Sequence, residues 1–251
     1  MNKKITTIFM DLGDTFRVLE KDADYIYAAK ARMAELLGVT EDPEKFHREV
    51  IETRYDRYRE WVLKWYCEAP VKVLWTRWLA YDFPRDLVEA NAEELTYLYR
   101  LCKGRRVITE GGVETVKELC RRGYTMGIIS DLVGTVEVDE WLDRDQLRPY
   151  FKTVQQSSVT MIRKPHPAIY YYALNEVGVD AEECAYVGDN LERDIIGAKA
   201  TGFGMTVGVR YANSSKKPQP ITEENRPDAF ITHFTQLLDL FPPLKQEDEH
   251  V

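Results

Sequence analysis

An α/β fold is predicted: a Rossmann-like parallel sheet with helices on both faces, into which an all-helical segment is inserted. Three observations predict it. The first is the apolar, β-rich run from Ile5 to Met10, which ends abruptly in Asp11-Leu12-Gly13-Asp14-Thr15; a short apolar run closed by turn residues reads as a buried strand. The second is the alternation of helical and strand periods from Gly111 onward, the pattern of a mostly parallel sheet covered on both sides. The third is that only helical periodicity remains between about Asp22 and Lys103.

Each element has its own signal. Asp24 to Leu37 reads as a helix stopped by Gly38, and Pro43 suits the first turn of the next. Along that second helix Phe46, Val50, Tyr58, Trp61, Val62 and Trp65 recur at helical steps until Glu68-Ala69-Pro70 breaks it. Val71 to Tyr81 and Arg85 to Leu101 complete a block of about four helices. Val113 to Arg122 is amphipathic and closed by Gly123. Strands are expected at Tyr124–Ile129, Thr153–Ser157, Cys184–Val187, Met205–Val209 and Ala229–Ile231. Helices are expected at Pro167–Val177, Ile195–Thr201 and Phe234–Leu240. Residues 1–21 and 104–244 would then form the Rossmann-like core and 22–103 a helical cap. The charged stretch 245–251 would be a disordered tail.

Composition narrows the function classes. At 251 residues the chain can bury a sizeable core, and 44% apolar with 30% charged residues is ordinary for a globular protein. A formal net charge of -8 with interspersed basic residues argues against a nucleic-acid partner. Cys67, Cys102, Cys120 and Cys184 include no close-spaced pair, so reduced thiols are expected rather than disulfides or zinc. No apolar run approaches a membrane span, and the N-terminal run lacks a cleavage site, so no membrane association and a cytoplasmic location are expected. Nothing in the sequence sets an oligomeric state. Four of the five tryptophans fall in the helical block; an aromatic stripe at helical spacing reads first as packing, with substrate contact by some of these rings, or by Arg54 or Arg59, as the other reading.

Four places expected at sheet ends carry polar groups: Asp11, Ser130, Lys164 with Pro165, and Asp189 with Asp194. In an open α/β sheet such ends converge on one ligand crevice. Each also has a plain structural reading. Ser130 could cap a helix, Lys164 could be a surface lysine, Asp189 a turn residue and Asp194 a first-turn carboxylate.

The order and spacing of these segments resemble the haloacid dehalogenase superfamily of hydrolases. Met10-Asp11-Leu12-Gly13-Asp14-Thr15 resembles its first motif and Ile128-Ile129-Ser130-Asp131 its second. Arg163-Lys164-Pro165-His166-Pro167 resembles its third, and Val187-Gly188-Asp189-Asn190-Leu191-Glu192-Arg193-Asp194 its fourth. The helical insert lies where that family carries a helical cap. The resemblance implies that Asp11 is a nucleophile forming an aspartyl phosphate. It implies a Mg²⁺ ion held by Asp11, the Gly13 carbonyl and Asp189, with Asp194 directly or through water. Ser130 would bond a phosphate oxygen and Lys164 would neutralise charge as the phosphoryl group moves, with Asp131 beside them at the substrate.

Two departures stand out. The family's phosphatases usually place a second Asp two residues after the nucleophile, and here that residue is Gly13. General acid–base help is worth about 10²–10⁴-fold. Asp131 replaces the family's common Asn, and a carboxylate beside a phosphate needs an offsetting cation. The expected activity is Mg²⁺-dependent hydrolysis of a small phosphorylated metabolite. The alternatives are a catalytically weak relative that binds a ligand or partner, and carbon–halogen hydrolysis, against which Asp189 and Asp194 argue.

Overall fold

The computed structural model describes residues 4–212, 214 and 217–244; the tail expected at 245–251 lies outside them. The chain opens with β1 (Thr7–Met10) and β2 (Arg17–Glu20). A helical run follows: α1 (Ala23–Leu36), α2 (Pro43–Phe46), α3 (Thr53–Trp65), α4 (Val71–Val73) and α5 (Arg85–Leu101). The second half comprises β3 (Arg105–Ile108), α6 (Gly112–Arg121), β4 (Thr125–Ser130), α7 (Glu137–Arg144), β5 (Phe151–Gln156), α8 (Ser157–Thr160) and α9 (Pro167–Val177). It ends with β6 (Cys184–Gly188), α10 (Ile196–Thr201), β7 (Met205–Val209), β8 (Ala229–Ile231) and α11 (Leu237–Leu240).

Six strands form one parallel sheet in the order β5-β4-β1-β6-β7-β8. The predicted fold class is therefore the observed one. Every residue of β1 is buried, as expected for a central parallel strand covered on both faces. Strand alternation divides its side chains between two cores. Ile8 and Met10 pack with Val116, Leu119, Trp141 and Phe234 on one face. Phe9 packs with Ile169, Tyr170 and Ala198 on the other. Gly127 on β4 lies against the Phe9 ring, where a Cβ would approach Cδ1 to 2.5 Å, so the close strand contact requires glycine. No helix among the described residues is long and apolar enough to cross a membrane.

The helical run builds a separate apolar cluster around Trp75, Tyr58, Met33 and Leu95. Here the structure departs from simple helical period. Between α2 and α3 the chain is π-helical over His47–Glu52. That wider turn moves the buried face by one residue. Phe46 is followed by Ile51 in the core, whereas Val50, expected there, is only half-buried. Trp65, expected on the same stripe, is 59% exposed, with the Lys64 ammonium 5.1 Å from its ring centre. A second π-helical stretch, Leu74–Leu79, continues α4.

Two features had no signal in the sequence. β2 and β3 pair antiparallel as a separate two-stranded ribbon flanking the helical run. Their residues, Arg17-Val18-Leu19-Glu20 and Arg105-Arg106-Val107-Ile108, are too few and too charged for strand periodicity. Helix α7 was hidden because Val136 and Val138 mimic strand alternation, while the side chains it buries are Val138, Trp141 and Leu142 at helical spacing.

Within the π-helical stretch His47 is buried, and neither ring nitrogen has a hydrogen-bond partner among the described residues. Burial pushes its pKa down to about 4, against a weaker opposing pull from Glu52. The unfolded chain, titrating near 6.5, takes up the proton first. Stability contributed by neutral His47 is thus fully present above pH 6.5 and is lost as pH falls towards 4, by about 3 kcal/mol in all. Urea midpoints followed between pH 7 and 4.5 should fall less steeply in His47→Gln than in wild type. Parallel slopes would show that His47 is not the titrating group.

Candidate active site

The site is assembled at the carboxyl edge of the sheet. Met10 pairs with Ile128 on one side and Val187 on the other, so Asp11 emerges between the ends of β4 and β6. Its backbone N–H donates to the Val187 carbonyl at 2.9 Å, fixing where its side chain leaves the sheet. Ser130, the last residue of β4, donates its hydroxyl to Asp11 Oδ1 at 2.8 Å.

Lys164 does not sit on a strand end, as expected, but on the loop between α8 and α9. Its side chain is 2% exposed. The Nζ lies 2.9 Å from Asp11 Oδ1 and 2.7 Å from Asp194 Oδ1, and donates to the Tyr186 hydroxyl and the Ile129 carbonyl at 2.9 and 3.0 Å. Burial alone would favour the neutral amine, but Asp11 and Asp194 more than offset it and raise the pKa. Lys164 is therefore an ammonium ion. Burial pushes Asp11 up, yet Lys164 and Ser130 together bring it below the ordinary carboxylate value, so the Asp11 carboxylate is ionised. Asp194 is raised, burial outweighing Lys164.

Asp194 rises into the crevice from a π-helical turn, Leu191–Ile195, that follows β6. Its Oδ2 accepts the Asn190 N–H at 2.9 Å. A Cβ on Gly188 would lie 2.4 Å from that oxygen, so the glycine before Asp189 is what lets Asp194 fold back under the strand end. One carboxylate oxygen from each of Asp11, Asp189 and Asp194 lies within 4.8 Å of the others. The Lys164 ammonium offsets Asp11 and Asp194. A further cation among hard oxygen donors this close would relieve the repulsion that remains, and such a set suits Mg²⁺. Gly13 lines the same cavity as Asp11, Ser130 and Lys164, whose volume is about 170 Å³.

Asp131 also lines that cavity. Its Oδ1 accepts the Lys164 N–H at 3.0 Å, and Arg163 and Arg193 each stand 3.5 Å from its Oδ2. Two guanidiniums thus supply the offset that a carboxylate there requires. Asp131 holds the backbone of the loop that carries Lys164. Glu68, from the helical run, pairs with Arg163 and accepts the hydroxyls of Tyr58 and Ser157 at 2.5 and 3.0 Å. A buried chain of groups therefore ties the helical run to the sheet edge beside Asp131. Arg54 instead pairs with Asp82, and neither it nor Arg59 lines this cavity.

Some groups at the site were not singled out in the sequence. Tyr186 reads as an apolar residue of β6, yet its hydroxyl reaches Lys164. Arg193 lies inside the fourth segment, unremarked between two acidic residues. Arg17, Arg100 and Arg106 also line the cavity, and only the ribbon and the end of α5 bring them there.

Comparison with known proteins bears on the fold and the family likeness. A family model described as haloacid dehalogenase-like hydrolase matches residues 85–207. The chain is 31% identical over 135 residues to a glyceraldehyde 3-phosphate phosphatase of Methanocaldococcus jannaschii, covering 54% of this chain and 57% of that protein. It is 30% identical over 139 residues to a phosphoglycolate phosphatase of Yersinia pseudotuberculosis, covering 53% and 56%. The matched stretch thus spans a little over half the length of these curated relatives. A crystal structure of a 2-haloacid dehalogenase from Pseudomonas syringae has the same fold, with a TM-score of 0.67 at 23% identity over 94% of this chain and 97% of that one. The parallel sheet, the four segments meeting at its edge and the match over residues 85–207 together liken this chain to the haloacid dehalogenase-like hydrolases.

Proposed function

We propose that the protein is a Mg²⁺-dependent phosphatase of a small phosphorylated metabolite, with Asp11 as nucleophile. The observation that carries this reading is the ionised Asp11 carboxylate held between Ser130 and Lys164, beside the Asp189 and Asp194 oxygens. The named phosphatases among its relatives act on two- and three-carbon phosphates, in keeping with a cavity of about 170 Å³.

Each part has a task on this reading. Asp11 attacks phosphorus and the bond to the leaving oxygen breaks, which leaves an aspartyl phosphate; attack by water then releases inorganic phosphate and restores Asp11. The Ser130 hydroxyl turns from Asp11 to a phosphate oxygen. Lys164, fixed by four partners, offsets negative charge on the transferring group without having to reorganise. Asp11, the Gly13 carbonyl and Asp189 would hold Mg²⁺, which supplies charge stabilisation when bound. Both Asp194 oxygens are already engaged, by Lys164 and by Asn190, which favours contact through water for that residue. Residues 22–103 act as a cap, and the Glu68–Arg163 pair is where it seats on the core. A closed cap limits the entry of bulk water.

A panel of phosphate esters assayed with and without Mg²⁺ tests the activity. The metal site has its own readout. Mg²⁺ at a hundredfold excess over Kd should stabilise the fold by about 2.7 kcal/mol, seen as a higher Tm. Asp189→Asn should blunt that rise. A Tm indifferent to Mg²⁺ in wild type would remove the metal from the proposal.

A further inference from the structure

Three arginines that the phosphatase reading leaves idle line the cavity of Asp11. Arg17 comes from β2, Arg106 from β3 and Arg100 from the last turn of α5. All three converge on one carboxylate, Glu137. Its Oε2 lies 2.7 Å from Arg100 Nε, and its Oε1 lies 3.3 Å from Arg17 Nη1 and 3.9 Å from Arg106 Nε. A single carboxylate cannot neutralise three guanidiniums. Asp14 lines the same cavity and offsets part of the remainder.

Little of the surplus charge reaches solvent: the Arg17, Arg100 and Arg106 side chains are 7%, 17% and 12% exposed. Arg17 is buried, and its Nε has no hydrogen-bond partner among the described residues. Its guanidinium is fixed against the Trp141 ring at 4.6 Å and donates to the Arg106 carbonyl. Arg106 donates one Nη to the Arg100 carbonyl at 2.9 Å. Its second Nη and both Nη atoms of Arg100 make no hydrogen bond to the described residues. Burial, with Arg100 and Arg17 alongside, pushes the Arg106 pKa down to about 9, the mark of a cation short of counter-charge. Like charges held together out of water are costly unless an anion joins them. Guanidinium forks are suited to bidentate contact with carboxylate or phosphate.

We infer that the substrate is a phosphate monoester carrying a second oxyanion, a carboxylate or another phosphate, which the free guanidinium edges of Arg100 and Arg106 receive. This rests on the phosphatase reading. Arg17 is a positioning residue, holding Arg106 from behind. The cavity is also small: its volume of about 170 Å³ falls below the roughly 300–1,000 Å³ of pockets for drug-sized ligands. It therefore suits two anionic groups on a short carbon chain.

Phosphonates separate binding from turnover. With Mg²⁺ present, calorimetry should show 3-phosphonopropionate binding at least about tenfold tighter than ethylphosphonate, a difference of about 1.4 kcal/mol. Ethane-1,2-diphosphonate is the arm that tells a second phosphate from a carboxylate, and tighter binding of either supports the inference. Arg100→Gln and Arg106→Gln should each cut the preference about tenfold, while Arg100→Lys, which keeps the charge, should retain most of it. Hydrolysis of carboxymethyl phosphate relative to ethyl phosphate should change in the same direction. If wild type hydrolyses ethyl phosphate but binds all three phosphonates alike, or if the preference survives both Gln variants, the second-oxyanion site is refuted and the phosphatase reading stands. If no ester is hydrolysed and no phosphonate binds, both readings fall.

Discussion

Asp11→Asn is expected to lower turnover of every phosphate ester by at least about 10⁴-fold, some 5.4 kcal/mol of barrier. The amide keeps the shape of the side chain but removes the anionic oxygen that, on the proposed mechanism, would attack phosphorus. The two side chains that contact Asp11 directly among the described residues cannot take its place. Ser130 is a neutral hydroxyl that already donates to Asp11, and Lys164 is an ammonium with no lone pair to offer. Among the described residues, the substitution also leaves Lys164 with Asp194 alone as a counter-charge in direct contact. A buried charge that loses a partner is destabilising, so circular dichroism and Tm must accompany the assay. Single-turnover measurement on a folded variant is the check. Residual activity within tenfold of wild type would mean that the nucleophile lies elsewhere.

The second large effect is a gain. Gly13→Asp should raise turnover of alkyl phosphates by about 10²–10⁴-fold, the usual worth of a general acid–base group. Aryl phosphates should gain far less, because their leaving groups depart without a proton. The structure permits the substitution. A Cβ on Gly13 would meet nothing within 4 Å, and the residue is not among those with left-handed backbone. The wild-type enzyme should then favour aryl and acyl phosphates over alkyl ones. Asp14, the next residue, is the rival proton carrier. It does have left-handed backbone, at φ 55°, and it lines the same cavity. Should Gly13→Asp change nothing while Asp14→Asn abolishes alkyl ester turnover, the proton travels through Asp14.

These two substitutions could be chosen from the sequence alone, because the residues they touch sit at the end of β1. An apolar run closed by Asp11 and Gly13 is a local signal, and the same kind of signal marked Ser130 and Gly188-Asp189. Regular elements far from the site were legible for the same reason. Arg85–Leu101, Pro167–Val177 and Met205–Val209 have the observed bounds, since periodicity and cap residues act within a few positions of themselves. The π-helical stretches escaped because apolar periodicity assumes a constant turn. Ile51 took the core place expected for Val50 once that turn widened.

The likeness to the family, the parallel sheet and the order in which its polar groups arrive were legible in the sequence alone. What those groups are to one another was decided only by the tertiary structure. Lys164, Asp194 and Tyr186 are more than 150 residues from Asp11 in the chain, and their distances follow from strand order and from Asp194 turning back beneath Gly188. Asp131 looked anomalous until folding set Arg163 and Arg193 on its carboxylate. The same holds for the arginines. Arg17 and Arg106 stand 89 positions apart on two four-residue strands with no apolar face to betray them. Only the pairing of those strands, and the end of α5 beside them, puts three guanidiniums around Glu137. Electrostatic surplus is a property of distance in space, and a linear chain of charges does not contain it.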